Sequence, residues 1–168
     1  MAFIFSGKNF ISFASFDDLV NRDSRLFDSN EGLTEDKVSD YLVQASQSIL
    51  DKIRASEWWR EYQFKRNPSI KNDIRSLPAV APMQILARKQ AFTDVCVFLC
   101  FADYILPDVA DFGNETSAEV QKIKFYRERW EDTFKEILEA GDWFDFSANG
   151  SISVDEIAPS RQNRVRIR

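Results

Sequence analysis

The stretch 91–106 constrains the fold more than any other part of the chain. It is apolar nearly all round, apart from Asp94 and Asp103, and it is shorter than the roughly 20 residues that a helix needs to span a bilayer. A helix without a polar face is covered on all sides by other elements. The stretch therefore predicts a buried central helix that begins at Pro82 and ends at 106, where Pro107 stops it.

The amino-terminal part of the chain predicts one short helix. Ser15 and Asp18 are a weak form of the capping box, and apolar residues follow them at helical spacing over 16–22. The next segment, 23–32, is polar and contains asparagine and glycine, so we expect a loop there.

A longer helix is predicted over 35–61. Thr34 can cap its first amides, and one apolar stripe recurs at spacings of three and four residues. The stripe consists of Val38, Leu42, Ala45, Ile49 and Ile53. The following segment, 64–82, carries three prolines and no sustained period, which predicts a connection with at most one helical turn over 71–75.

A last long helix is predicted over 117–140. Thr116 and Glu119 form a capping box at its start, and Gly141 is a typical residue for its end. Its apolar stripe repeats every three or four residues and consists of Ile123, Tyr126, Trp130, Phe134 and Ile137.

The period changes after Gly141 and predicts a small β-hairpin over 143–155. Apolar and polar residues alternate on both sides of Asn149-Gly150, the strongest short-range hairpin signal. A two-residue loop would put the two apolar rows on opposite faces, so we expect a three-residue loop that pairs Phe146 with Ile152.

The predicted fold class is therefore mainly α. We expect a helical bundle of three long helices plus a short N-terminal helix, with a small β-hairpin and an extended C-terminal tail. The domain organisation is a helical domain over 1–157 and a basic tail over 158–168. The chain has no visible secretion signal, because its apolar start lacks a basic region and is interrupted at Lys8. We therefore expect an intracellular protein.

Residue types argue against an enzyme. The chain has no histidine, the residue on which acid-base catalysis near pH 7 most often depends. Cys96 and Cys100 lie one turn apart on a predicted helix, where we expect reduced, buried thiols. Asp108, Asp111 and Glu115 lack the spacing of a calcium loop. We predict no catalytic residue, no cofactor and no metal site.

The segment after Pro159 is the most informative part of the sequence. Four of the last eight residues are arginine, whereas residues 1–160 hold 18 basic and 27 acidic groups, a net charge of −9. In an extended chain Arg164, Arg166 and Arg168 face one way and the apolar Val165 and Ile167 the other, which suits a strand added to a partner protein. The predicted partner-binding residues are Arg161, Arg164, Val165, Arg166, Ile167 and Arg168.

In their order along the chain, these features resemble the head-tail connector (adaptor, or neck) proteins of tailed bacteriophages. The resemblance is one of pattern and covers most of the chain. It includes the short helix at 16–20, the second helix at 38–54, the proline-rich connection, the central helix at 87–106 and the segment 126–143.

The resemblance implies a structural virion protein without turnover. Proteins of that family form a homo-oligomeric ring, commonly of twelve copies, beneath the portal protein, and their C-terminal segments extend onto the portal. Further neck or tail-completion proteins bind on the other side, and DNA passes through the ring without sequence-specific binding. The expected location is the neck of the virion, after assembly in the host cytoplasm.

Two other classes of function stay open. A small phage DNA-binding or packaging module would use the arginines on phosphates, although the acidic remainder of the chain repels a polyanion and the tail has no aromatic residue for base stacking. A host-directed regulatory adaptor would bind a host protein instead. A solvated tail without a partner is the plainest alternative.

Overall fold

The computed structural model describes residues 3–110 and 118–157, apart from the side chains of Asn72 and Ile74. The chain divides into two compact units. The first unit contains Met1–Gln47 and Lys89–Lys135, and the second contains Ser48–Arg88 and Glu136–Arg168. Each unit is described here by itself.

The described structure is mainly α-helical with a small antiparallel hairpin, which confirms the predicted class in outline. The α-helices are α1 (Phe16–Arg22), α2 (Ser24–Ser29), α3 (Glu35–Ala55), α4 (Glu57–Arg66), α5 (Lys89–Cys100), α6 (Leu106–Val109) and α7 (Ala118–Ala140). Short 3-10 turns lie at Pro68–Asn72, Ile74–Ser76 and Pro82–Gln84, and a π-helical turn at Phe101–Ile105 joins α5 to α6.

The hairpin lies near the start of the chain, where we had predicted no strand. Strands β1 (Ile4–Ser6) and β2 (Asn9–Ser12) pair through Phe5 with Phe10, and Gly7 between them has a φ of 62°. Phe3 and Phe13, which flank the hairpin, pack edge to face with ring centroids 4.9 Å apart. Burial of these rings stabilises a hairpin that is too short to be stable alone.

Helix α1 has the predicted bounds, and its capping box is complete. The hydroxyl of Ser15 accepts from the N–H of Asp18, and the Asp18 carboxylate accepts from the N–H of Ser15. The predicted loop over 23–32 was wrong in part, because Ser24–Ser29 is helical. The side chain of Asp23 caps the N–H of Leu26, and the buried side chain of Leu26 anchors this extra helix.

The long helix predicted over 35–61 is two helices, since α3 ends at Ala55 and α4 begins at Glu57. The hydroxyl of Ser56 donates to the carbonyl of Ile53 and accepts from the N–H of Trp59. Ser56 thus ends one helix and caps the next, as serine side chains do when they compete with the helical backbone. The connection after α4 contains two 3-10 turns rather than one turn over 71–75.

The central helix predicted from Pro82 to 106 is also interrupted. The N–H groups of Leu86 and Ala87 donate to the carbonyl of Trp143 instead of to helical carbonyls, so α5 begins only at Lys89. The prediction that Pro107 stops the helix was wrong, because α6 continues to Val109.

The π turn ahead of Pro107 widens the helix, which accommodates a residue without an N–H donor. As predicted, the helix is buried after its first turn: in α5 every residue from Phe92 to Cys100 except Asp94 is buried, and Cys96 and Cys100 are free thiols. Among residues 3–110 and 118–157, no helix combines the length and the hydropathy that crossing a membrane requires.

Helix α7 ends at Ala140, as predicted, and Gly141 follows with a φ of 64°. This left-handed conformation is one that glycine adopts without the penalty of a Cβ atom. The N–H of Gly141 donates to the carbonyl of Ile137, which completes the last turn. The predicted cap of α7, Thr116, and its predicted first residue, Ser117, lie outside the described residues.

The β-hairpin predicted over 143–155 was wrong. Phe144 makes an isolated antiparallel bridge with Ile85, and residues 145–157 form a loop of turns without strands. The physical reason is that two side-chain carboxylates, those of Asp145 and Glu156, bind the backbone N–H groups that a ladder between strands would use. Such local bonds compete directly with secondary structure.

The capping box of α1 predicts a measurable loss on substitution. Ser15→Ala removes the acceptor for the N–H of Asp18, and we expect it to lower the free energy of unfolding by about 1 kcal/mol. Urea denaturation followed by circular dichroism measures the loss. The matched control is Ser39→Ala, at an exposed position within α3, which we expect to be neutral or slightly stabilising. Equal effects of the two substitutions would contradict this account of the cap.

Candidate functional site

The predicted partner-binding residues, Arg161, Arg164, Val165, Arg166, Ile167 and Arg168, lie outside the described residues. The structure therefore does not test their role. The last described residue before this segment is Ile157. Residues 145–156, which directly precede Ile157, form a loop that we call the acidic loop.

The acidic loop is organised at its start by the carboxylate of Asp145. One of its oxygens accepts from the N–H of Gly150 at 2.7 Å, and the other accepts from the N–H of Asn149 at 3.3 Å. The hydroxyl of Ser147 donates to the same carboxylate at 3.1 Å. The side chain of Asp145 therefore lies inside the curl of the loop, and the residue is only 2% exposed.

The end of the acidic loop is organised by the carboxylate of Glu156. One oxygen accepts from the N–H of Ser147 at 2.7 Å, and the other accepts from the N–H and the hydroxyl of Ser153 at 2.8 and 2.9 Å. Glu156 is 4% exposed. Because Ser147 binds both Asp145 and Glu156, the two ends of the loop are held together.

Both carboxylates are ionised near neutral pH. Burial alone would raise the pKa of Asp145, but hydrogen bonds from the N–H of Gly150 and from Ser147 hold that pKa below its ordinary value. Burial likewise opposes a charge on Glu156, but the hydrogen bonds from Ser153 and Ser147 lower its pKa. The ion pairs of residues 3–110 and 118–157 include neither carboxylate.

Aromatic packing fixes the residues at the start of the acidic loop. Phe146 stacks on Tyr62 of α4 with ring centroids 3.4 Å apart, and it also contacts Trp59 at 5.4 Å. Trp143 stacks on Trp58 at 4.6 Å. Such rings bury large apolar areas and restrict one another's orientation, so the loop begins from a rigid base.

Backbone hydrogen bonds add to this base. The N–H of Asp145 donates to the carbonyl of Gln84 at 2.9 Å, and the guanidinium of Arg66 donates to the carbonyl of Phe146 at 3.0 Å. Beside these residues lies a groove of about 520 Å³ with aromatic and polar walls. Its lining includes Trp59, Arg66, Ile70, Pro78, Phe144 and Phe146.

The thiols are unsuited to nucleophilic chemistry. Complete burial raises the pKa of Cys96 to about 12, and burial also raises the pKa of Cys100. Both thiols are therefore protonated at neutral pH, whereas the thiolate is the reactive form. The hydroxyl of Ser46 lies 3.4 Å from the sulfur of Cys96, a contact that belongs to core packing.

Asp108 is one of the three acidic residues that lack the spacing of a calcium loop, and it forms an ion pair with Lys37. Its carboxylate accepts from the ammonium of Lys37 at 2.5 Å, and this hydrogen bond lowers the pKa of Asp108. Asp111 and Glu115 lie outside the described residues. Within the described part of the chain, no group of three or more histidine, cysteine, aspartate and glutamate side chains gathers closely enough to bind a metal ion.

Sequence reasoning missed the acidic loop because it interpreted Asn149-Gly150 as a hairpin turn. The available signal was the oxygen-bearing side chain at every second position from Asp145 to Asn149, followed by glycine and by Glu156.

Comparisons of the chain with protein-family models, with curated proteins and with solved structures find no match.

The lowered pKa values predict that the acidic loop is sensitive to acid. A carboxyl group whose pKa is lower in the folded state stabilises that state above its unfolded pKa, and this stabilisation is lost as the pH falls through the folded pKa. The ordinary values are 3.8 for Asp145 and 4.5 for Glu156. We expect constant protection of the Gly150 and Ser153 amides above about pH 5 and a loss of protection below the ordinary values.

Hydrogen exchange monitored by NMR, corrected for intrinsic rates, measures this protection. In Glu156→Gln we expect weak, pH-independent protection at Ser153, whereas Gly150, which binds Asp145, keeps its pH dependence. Protection in the wild type that stayed level down to about pH 3 would be incompatible with carboxylates as the acceptors.

Proposed function

We propose that the chain is a structural adaptor that binds another protein through the basic segment 161–168, as the head-tail adaptors of tailed phages bind their portal. The observation that carries the proposal is the separation of charge along the sequence. Residues 1–160 have a net charge of −9, and the segment adds four arginines without an acidic residue. Charge of opposite sign within one chain favours oriented binding to a partner.

The apolar residues of the segment support protein binding over simple phosphate binding. Val165 and Ile167 alternate with arginines, which gives an extended strand one apolar and one basic face. Val154 and Ile157, shortly before the segment, are 77% and 37% exposed. Val154 and Ile157 supply apolar contact area close in sequence to the basic segment. Apolar contact area favours binding to a protein, because the phosphates of a nucleic acid are bound by charge.

The acidic loop gives the segment a fixed point of attachment. Glu156 accepts hydrogen bonds from Ser147 and Ser153, and Ile157 is the next residue. The last described residues before the basic segment are therefore held in a defined position. A fixed residue close to the binding segment reduces the conformational entropy that is lost when the segment binds its partner.

In the proposed role the protein is a non-catalytic ring component. Copies assemble, commonly as twelve, on a portal that is already in place, and their basic segments become ordered there. Further neck or tail-completion proteins bind to this ring, and DNA passes through it. The resemblance of the helical pattern to the phage adaptors supports this specific form of the proposal.

Deletion of residues 161–168 tests the proposal. The hydrogen bonds that close the acidic loop and the stacking of Trp58 on Trp143 and of Tyr62 on Phe146 join residues outside the deleted segment. We therefore expect an unchanged far-ultraviolet circular dichroism spectrum and complete loss of binding to purified capsids that carry the portal. Sedimentation of the protein with those capsids measures binding, and undiminished co-sedimentation would refute the proposal.

A double substitution separates protein docking from electrostatic contact with nucleic acid. Val165→Ser with Ile167→Ser keeps every arginine and removes the apolar face. We expect it to reduce capsid binding at least tenfold. If this variant bound capsids normally, and if the wild type shifted duplex DNA with an affinity that fell steeply with salt, the DNA-binding alternative would replace the adaptor.

A further inference from the structure

The spacing of oxygen donors in the acidic loop matches a calcium-binding loop. A twelve-residue calcium loop supplies ligands from positions 1, 3, 5, 7, 9 and 12, with glycine at position 6 and a bidentate glutamate at position 12. Counting Asp145 as position 1, glycine and glutamate fall at positions 6 and 12 as required. The donors are then Asp145, Ser147, Asn149, the carbonyl of Ser151, Ser153 and Glu156. Serine at position 3 is the one departure from the usual aspartate or asparagine.

The backbone of the loop already follows the course that this chemistry requires. Gly150, at position 6, has a φ of 83°, and a Cβ atom there would meet nothing within 4 Å. Glycine is thus favoured for the sharp turn itself and not for space. The carboxylate at position 1 reaches across the turn to the N–H of Gly150 at 2.7 Å, so the loop curls around it.

The first and last ligands point into the same curl. The hydroxyl of Ser147 donates to Asp145 at 3.1 Å, and its N–H donates to Glu156 at 2.7 Å. Position 3 therefore bridges positions 1 and 12. The side-chain oxygen of Asn149, at position 5, accepts from the N–H and the hydroxyl of Ser151 at 2.9 and 2.8 Å. Rotation of the exposed Ser151 hydroxyl would release one lone pair of this amide oxygen for a cation.

The two carboxylates of the acidic loop carry negative charges that a bound cation would compensate. Asp145 and Glu156 are 2% and 4% exposed, and Ser147 donates hydrogen bonds to both carboxylates. In the described residues neither is paired with lysine or arginine. A divalent ion bound to both carboxylates would compensate the two negative charges.

The donors select the metal. All of them are oxygens, which excludes a preference for zinc or copper, and most of them are hydroxyl, amide or carbonyl oxygens. Only Asp145 and Glu156 supply carboxylates, so the set contains no group of three acidic, histidine or cysteine side chains. Calcium accepts six to eight oxygen ligands in flexible geometry, whereas magnesium demands a small octahedral site and retains its waters.

We propose that the acidic loop, Asp145 to Glu156, is a calcium-binding site. Asp145 and Glu156 supply the charged ligands, and Ser147, Asn149, Ser151 and Ser153 supply the neutral ones. With only two charged ligands, the site belongs with the weaker calcium loops, with a dissociation constant of roughly 10⁻⁴ to 10⁻³ M. The proposal does not depend on the adaptor role of segment 161–168.

Terbium luminescence tests the site in the full-length chain. Terbium replaces calcium at oxygen sites and emits when a nearby tryptophan is excited; Trp58, Trp59 and Trp143 belong to the same compact unit as the loop. After treatment of the protein with a chelator, we expect saturable emission with one terbium per chain. Calcium should displace terbium, and magnesium at the same concentration should displace much less. Calorimetric titration with calcium chloride gives the affinity directly.

Three variants locate the site. Glu156→Gln removes the charged ligand at position 12, and we expect it to weaken calcium binding by at least about tenfold. Because Glu156 is buried and its replacement can disturb the loop, Asn149→Ala provides a second test at an exposed side chain, with an expected loss of at least about threefold. The matched control is Asp155→Asn, which removes one charge at position 11, where no ligand is needed, and should change affinity less than about twofold.

The outcomes are distinct. Calcium should also raise the melting temperature of the wild type and of Asp155→Asn, but not that of Glu156→Gln. The absence of saturable calcium binding up to about 10 mM, well above the expected range, would overturn the proposal. An equal loss in Asp155→Asn and Glu156→Gln would overturn it too, because it would indicate general attraction of cations to an acidic surface.

Discussion

The structure after α7 depends on two buried carboxylates that take the place of a neighbouring strand. Asp145 binds the N–H groups of Asn149 and Gly150, and Glu156 binds those of Ser147 and Ser153. Backbone donors that lack partners inside a protein cost free energy comparable to a lost hydrogen bond. Here the partners come from within the same twelve residues, so the loop is closed on itself. The position of Glu156, at the end of the loop, follows from this closure.

Sequence reasoning located helices well where the signal is local. The bounds of α1 follow from the Ser15 capping box, and the end of α7 follows from Gly141, because both depend on groups within a few residues of each other. The predictions failed where the local structure depends on a hydrogen-bond partner that is distant in the sequence. The N–H groups of Leu86 and Ala87 bind the carbonyl of Trp143, more than 50 residues away, and no periodicity of the central helix reveals that bond.

The acidic loop shows a different kind of failure, since the decisive residues were all visible. Asn149-Gly150 suits a hairpin turn because both residues tolerate positive φ. It suits positions 5 and 6 of a calcium loop because Asn149 offers an amide oxygen and Gly150, with a φ of 83°, makes the sharp turn. Alternation of Phe144 and Phe146 favoured strands, yet both rings pack in an aromatic cluster with Trp59. The choice between the two structures is made by oxygen atoms of side chains, which a pattern of apolar and polar residues does not distinguish. The role of segment 161–168 stays a prediction from sequence.

The two anions of the loop explain why its hydrogen bonds alone are an incomplete solution. Protonation would remove the two negative charges, but the N–H and hydroxyl donors stabilise the charged forms and lower the pKa of each carboxyl group. An ion pair would compensate the charges, but neither carboxylate has one within the described residues. A bound divalent cation satisfies both requirements at once: it keeps the carboxylates ionised, and it compensates their charge where Ser147 holds them together.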